Sequence, residues 1–197
     1  MSRRQHGYTL ADMLVILAVI GMTVGVALPA FNSMRRRTAV RAAGCELRSL
    51  FHTARMRAIS HGQHSGLRFT RYGNEWRYAA YDDGDGDGVR NDDIADGIDK
   101  MLFIPRPVLA ADRGAATISV PRKTITDPDG DKLTPSSSPV QFNRSSICSC
   151  SPLGQCTPGT IYLTDGDAGV YAVRMYGPTG RIRMLRWNDV RRKWEAR

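Results

Sequence analysis

Histidine is scarce in this chain: there are four among 197 residues, and none of His6, His52, His61 and His64 stands beside a partnered nucleophile. Imidazole-based acid–base or acyl-transfer chemistry therefore has no visible constellation. Cysteine is as sparse, and Cys45 with the C-x-C-x5-C run of Cys148, Cys150 and Cys156 fits the spacing of no common zinc module. Only one long apolar run is present, so the chain encodes at most one helical membrane crossing. No internal repeat and no second domain are visible, and nothing present reads as an enzyme.

What is present is one modest domain with an appendage: 42% hydrophobic and 24% charged residues are enough for a core and argue against wholesale disorder. The formal charge of +9 points toward acidic partners, nucleic acid or anionic lipid among them. That charge is unevenly spread. Residues 35–57 hold seven Arg against Glu46, whereas residues 82–99 hold eight Asp against Arg90.

The apolar run opens with an anomaly. Residues 13–28 carry no charge, yet Asp12 stands at their start. A carboxylate inside a bilayer costs on the order of 2.5–3.5 kcal/mol on insertion scales. An ordinary secretory signal has no use for it, and the first exit, VALPA, puts Leu28 and Pro29 where a signal peptidase wants small residues. The SRR start lacks the apolar pair of a twin-arginine signal, and a plain anchor leaves the acid unexplained.

The stretch resembles the type III signal of type IV pilins and type II secretion pseudopilins. That pattern is a short basic leader (Arg3, Arg4), then Gly7, Tyr8, Thr9, Leu10, a variable Ala11 and the acid Asp12, followed by an unbroken apolar helix. The resemblance implies cleavage by a prepilin peptidase between Gly7 and Tyr8 and methylation of the new amino group on Tyr8. It also implies that Asp12 pairs with the N-terminal ammonium of a neighbouring subunit, since a buried charge persists only when paired. The family more often has Glu at the acid and Phe after the Gly. Arg35, Arg36 and Arg37 beyond the run oppose the usual cytoplasmic excess of positive charge, so orientation follows from the leader.

Past Pro29 the pattern is amphipathic. Val40, Ala43, Leu47, Leu50, Ala54 and Ala58 recur at spacings of three and four, with Arg41, Arg48 and Arg55 in a row away from them. His61 and Gly62 end the helix, which would be roughly 80 Å long if continuous from residue 8 to 60. Strand signals follow. Leu67 and Phe69 alternate with polar residues, Gly73-Asn74 is a turn, and 76–81 returns; further strands are expected at 101–104, 117–120, 140–142, 160–163, 171–176 and 181–187. A Pro- and Ser-rich loop occupies 121–139. The expected fold class is α+β: a long N-terminal helix packed on an antiparallel β-sheet head. The expected segments are a leader at 1–7, a transmembrane or filament-core helix at 8–29, an amphipathic half at 30–62 and a periplasmic head at 63–197.

The segments VQFNRSS, PGTIYL and YAVRMYGPTGRIRMLRW resemble the head of the GspH/FimT group of minor pseudopilins and minor pilins, and LRSLFHTARMRAISHGQHSGLRF resembles the helix end and first strand of that group. The resemblance implies an inner-membrane, single-pass protein with its head in the periplasm. Its implied partners are other minor and major pilin-type subunits, reached through the N-terminal helix, and the prepilin peptidase. Two roles follow from it: a structural subunit at or near the tip of a type II secretion pseudopilus, touching exported proteins, or a FimT-like minor pilin that binds DNA for uptake. A single-span anchored periplasmic domain without a filament is the third.

Three side-chain groups invite chemistry. In DDGDGDGVRNDD, carboxylates at Asp83, Asp85 and Asp87, a Gly at the sixth place and Asn91 at the ninth match a calcium loop, although Ile94 holds the twelfth place, where a bidentate acid is needed. A periplasmic head permits disulfides, and Cys156 is expected to bridge to Cys148 or Cys150 in one loop, with Cys45 either bridged or packed. In the tail, Arg181 and Arg183 share a strand face; with Arg186, Trp187 and Trp194 they suit phosphate-led DNA binding with base stacking.

Overall fold

The structure, a computed structural model, describes residues 10–73, 75–108, 116–143, 145–166 and 169–196, without the side chains of residues 26, 29, 30, 32 and 33. The chain forms two compact units, Met1–Arg36 and Arg37–Arg197, and helix α1 (Leu10–His61) contributes to both. In the first unit every described side chain is exposed. Among the described residues no helix is long and apolar enough to cross a membrane. The expected span over 8–29 is thus not shown, and the leader at 1–7 lies outside the described residues.

The second unit is built on the later part of α1. Ala, Leu and Arg are strong helix formers, and the buried stripe is Val40, Ala43, Leu47, Phe51, Ala54 and Ala58. Spacing alone had placed Leu50 in that stripe; Leu50 is only half-buried, and Phe51 is sealed completely. Its ring meets Phe142 edge-on at 5.6 Å and Phe69 at 5.9 Å. Truncating such a residue to Ala costs about 3–5 kcal/mol. The helix stops where Gly62 takes φ +65°, the left-handed conformation that closes a helix C-terminus.

The remaining elements follow in order: β1 (Ser65–Tyr72), β2 (Glu75–Asp82), α2 (Asn91–Asp96), β3 (Lys100–Met101), β4 (Arg106–Pro107), β5 (Thr117–Ile118), β6 (Ile125–Thr126), β7 (Lys132–Leu133), β8 (Val140–Gln141), β9 (Ile147–Cys150), β10 (Gly159–Thr164), β11 (Val170–Tyr176), β12 (Arg181–Asn188) and β13 (Lys193–Ala196). All pairings are antiparallel. One sheet runs β3-β2-β1-β9, with β4 also on β2; the other runs β13-β12-β11-β10-β5, with β8 also on β10. The principal core lies between α1 and both sheets, joining Phe51, Leu67, Phe69, Phe142, Ile161, Val173 and Met184.

Two stretches read as loops are structured. Cys148 and Cys150 lie on β9, paired to Leu67 and Ser65 of β1, because alternation along Ile147–Cys150 sends both cysteines to the principal core and Ile147 to a separate small cluster. Within 121–139, β6 and β7 form a hairpin. Ile125 and Leu133 cover the outer face of the second sheet and seal Tyr162, Leu185 and Trp187 in a core of their own. Arg174 ties the hairpin down through Asp129, and Trp194 Nε1 donates to Thr126 O at 2.8 Å.

Candidate functional site

Of the residues expected to serve processing and assembly, Gly7 and Tyr8 lie outside the described residues. Asp12 is placed: it sits exposed in the first turn of α1, the end where a carboxylate also suits the helix dipole.

The Asp-rich loop after β2 is held by its own carboxylates. Asp83 Oδ1 accepts from the amides of Asp85 (3.0 Å) and Gly86 (2.9 Å), and Oδ2 accepts from Gly88 (2.9 Å). Gly86 and Gly88 supply the turns with φ +95° and +99°. Burial pushes the Asp83 carboxyl up, but the three amides together hold it below the ordinary carboxylate value. Oxygens of Asp83, Asp85 and Asp87 come within 4.8 Å of one another. Burial and then the like charges of Asp85 and Asp83 raise Asp87, against the pull of Arg90. Three carboxylates thus converge as hard-cation donors, while Asn91 is turned away, its Nδ2 donating to Ser145 O at 3.2 Å from the first residue of α2.

Sequence reasoning missed Asp99, which is 3% exposed and braces both ends of this loop by accepting from Gly84 N (3.2 Å) and Arg90 N (2.9 Å). No spacing rule singles it out from seven other aspartates. It also missed the link between α1 and the end of β2, in which Arg57 Nε and Nη2 donate to Asp82 Oδ1 and Oδ2 at 2.9 and 2.7 Å. That bidentate bond is the main reason Asp82 titrates below its ordinary value and Arg57 above.

The cysteines separate. Cys150 and Cys156 form a disulfide, Cys148 is a buried thiol that burial keeps protonated, and Cys45 is free and exposed on α1.

The basic residues separate as well. Arg181 and Arg183 are exposed on one face of β12, beside a groove of about 840 Å³ whose other wall is Arg48, His52 and Arg55 of α1. Arg186 has the parity of Ile182 and Met184, which face the principal core, and is half-buried on the side opposite Arg181 and Arg183. The tryptophans expected to stack on bases are not available there. Trp187 is 7% exposed in the core under the hairpin, and Trp194 packs against it with ring centroids 5.5 Å apart. Of the histidines, His61 Nδ1 meets Arg57 O and the Ser60 hydroxyl at the exposed end of α1, and His64 packs by Gly88.

A helix whose apolar stripe packs on antiparallel sheets defines an α+β protein of pilin-like build. The family described as type II transport protein GspH matches residues 43–179, from Ala43 on α1 through the sheets up to the β11–β12 turn. The chain belongs to that family, a family of structural pseudopilins and not of enzymes. No curated protein and no solved structure matches it.

Proposed function

We propose that this chain is a minor pseudopilin of a type II secretion system, a structural subunit at or near the tip of the pseudopilus. The family match over the head carries this reading. In it, the N-terminal part of α1 anchors the subunit in the inner membrane and then packs among the helices of other pseudopilins. A prepilin peptidase cuts between Gly7 and Tyr8 and methylates Tyr8, and Asp12 neutralises the ammonium of the adjacent subunit. The head stands in the periplasm, an oxidising compartment that suits the Cys150–Cys156 disulfide. The secretion role is preferred to DNA uptake because Trp187 and Trp194 are committed to the core and Arg186 leaves the row of Arg181 and Arg183.

Intact mass of the membrane-extracted protein tests the reading. Loss of residues 1–7 and one added methyl on Tyr8 are expected. An N-terminus at Phe31, or an unmethylated full-length chain, overturns it and leaves a secreted or singly anchored domain.

A further inference from the structure

The uneven charge of the sequence is laid out along α1. Arg37, Arg41 and Arg48 are exposed at spacings of four and seven, which puts them on one flank of the helix with the exposed Cys45 beside them. None of the three makes an ion pair among the described residues. Arg55, next in the row, is already engaged, its Nε donating to Gly154 O at 2.9 Å. Arg57, fastened to Asp82 at the start of the Asp-rich segment, lies about 160° around the helix from Arg41. The acidic segment therefore leaves α1 on the flank opposite the basic row, and about 14–30 Å further along the axis at 1.5 Å per residue. Within that segment Asp82 answers Arg57, Asp83 and Asp99 hold amides, and Asp87 pairs with Arg90. Asp92 and Asp96, one turn apart on α2, are exposed and make no ion pair among the described residues. Basic row and α2 acids thus go unanswered within one molecule.

We propose that the row of Arg37, Arg41 and Arg48 docks a second copy of this chain, receiving Asp92 and Asp96 on α2 of a neighbour that lies alongside and is displaced by roughly 14–30 Å along the helix axis. Charge complementarity selects this occupant. The row offers guanidinium groups, whose strongest partners are carboxylates, and the segment 82–99 offers eight Asp against Arg90. Because the two surfaces lie on opposite flanks of α1, one flank meets the other and the contact is heterologous: it does not close on itself, and a row of two copies still has a basic flank at one end and an acidic one at the other. Nucleic acid suits the arrangement less well, since its phosphates meet the basic row but repel Asp92 and Asp96 and leave them unanswered. This inference goes beyond the secretion reading and does not rest on it, because both surfaces belong to the unit Arg37–Arg197.

The test uses the full chain in detergent, followed by sedimentation velocity, so that the apolar part of α1 is common to every sample. One variant carries Arg37→Glu, Arg41→Glu and Arg48→Glu, and the other carries Asp92→Lys and Asp96→Lys. Native chains should associate, less so as salt screens the exposed charges. Each variant alone should associate roughly tenfold more weakly or worse, because like charges then face each other. An equimolar mixture of the two should recover association, since the reversed row of one meets the reversed α2 of the other. Unchanged melting temperatures show that both variants remain folded. Cross-linking locates the contact independently of these reversals: a short thiol-specific linker should join native Cys45 of one chain to the thiol introduced by Asp96→Cys in a tagged chain that also carries Cys45→Ser. No association up to about 100 μM chain, association as strong in both variants as in the native chain, a mixture that stays apart, or absence of the cross-link overturns the proposal. So does a native chain that stays single and retains duplex DNA through the same three arginines. A chain that passes this test but fails the mass test is a self-associating head outside a processed filament; the converse leaves a pseudopilin that does not pair with its own kind.

Discussion

Replacing Arg57 with Ala is the sharpest probe of how α1 is fastened to the first sheet. The two hydrogen bonds to Asp82 are short and parallel, and the Asp82 side chain is 12% exposed against 34% for Arg57. Removing one partner of a fully buried pair costs about 3–5 kcal/mol, and an exposed pair contributes about 0–1 kcal/mol. Because Arg57 is about a third exposed, solvent screens part of the interaction, and the loss should be about 2 kcal/mol. At about 2–4 °C per kcal/mol for a domain of this size, the melting temperature at pH 7 should fall by about 4–8 °C. The pH dependence has a definite sign. Asp82 is depressed in the folded state, so its contribution is fully present above the unfolded carboxylate value of about 3.9 and is lost as pH falls through the lower folded value. The gap between wild type and Arg57→Ala should therefore be constant from about pH 6 to 8 and close toward pH 3. Calorimetry of the full chain in detergent, with Asp82→Ala and the double variant completing a cycle, measures it. Additive losses, or a gap as wide at pH 3 as at pH 7, would refute the reasoning.

Two further outcomes are expected. Asp12→Ala should leave membrane insertion intact while reducing co-purification with other pseudopilins, because the lost group answers a neighbour's ammonium and exposed Asp12 packs in no core of its own unit; normal co-purification of the variant would remove the pairing role. Calcium held by Asp83, Asp85 and Asp87 should raise the head's melting temperature, and Asp85→Ala with Asp87→Ala should abolish the rise; a melt indifferent to calcium and chelator would leave the loop fastened by its own hydrogen bonds, those of Asp83 and Asp99 among them.

The amphipathic stripe was legible by itself, since helix periodicity projects directly into sequence, and so were the longer strands, whose alternation does the same. Neighbouring positions blur this signal: Leu50 and Phe51 differ by one helical step, and only packing against Phe69 and Phe142 selects the larger ring. The rest depends on partners far apart in the chain. That Cys156 takes Cys150 and not Cys148 follows from the antiparallel bridge that sets Cys156 opposite Cys150. That Arg181 and Arg183 stay outside while Leu185 and Trp187, on the same face, are buried depends on how far the β6–β7 hairpin extends over the sheet. Asp99 and the Arg57–Asp82 bond have no local signature, since a hydrogen bond between distant residues is selected by where the backbone brings them and leaves no period in the sequence.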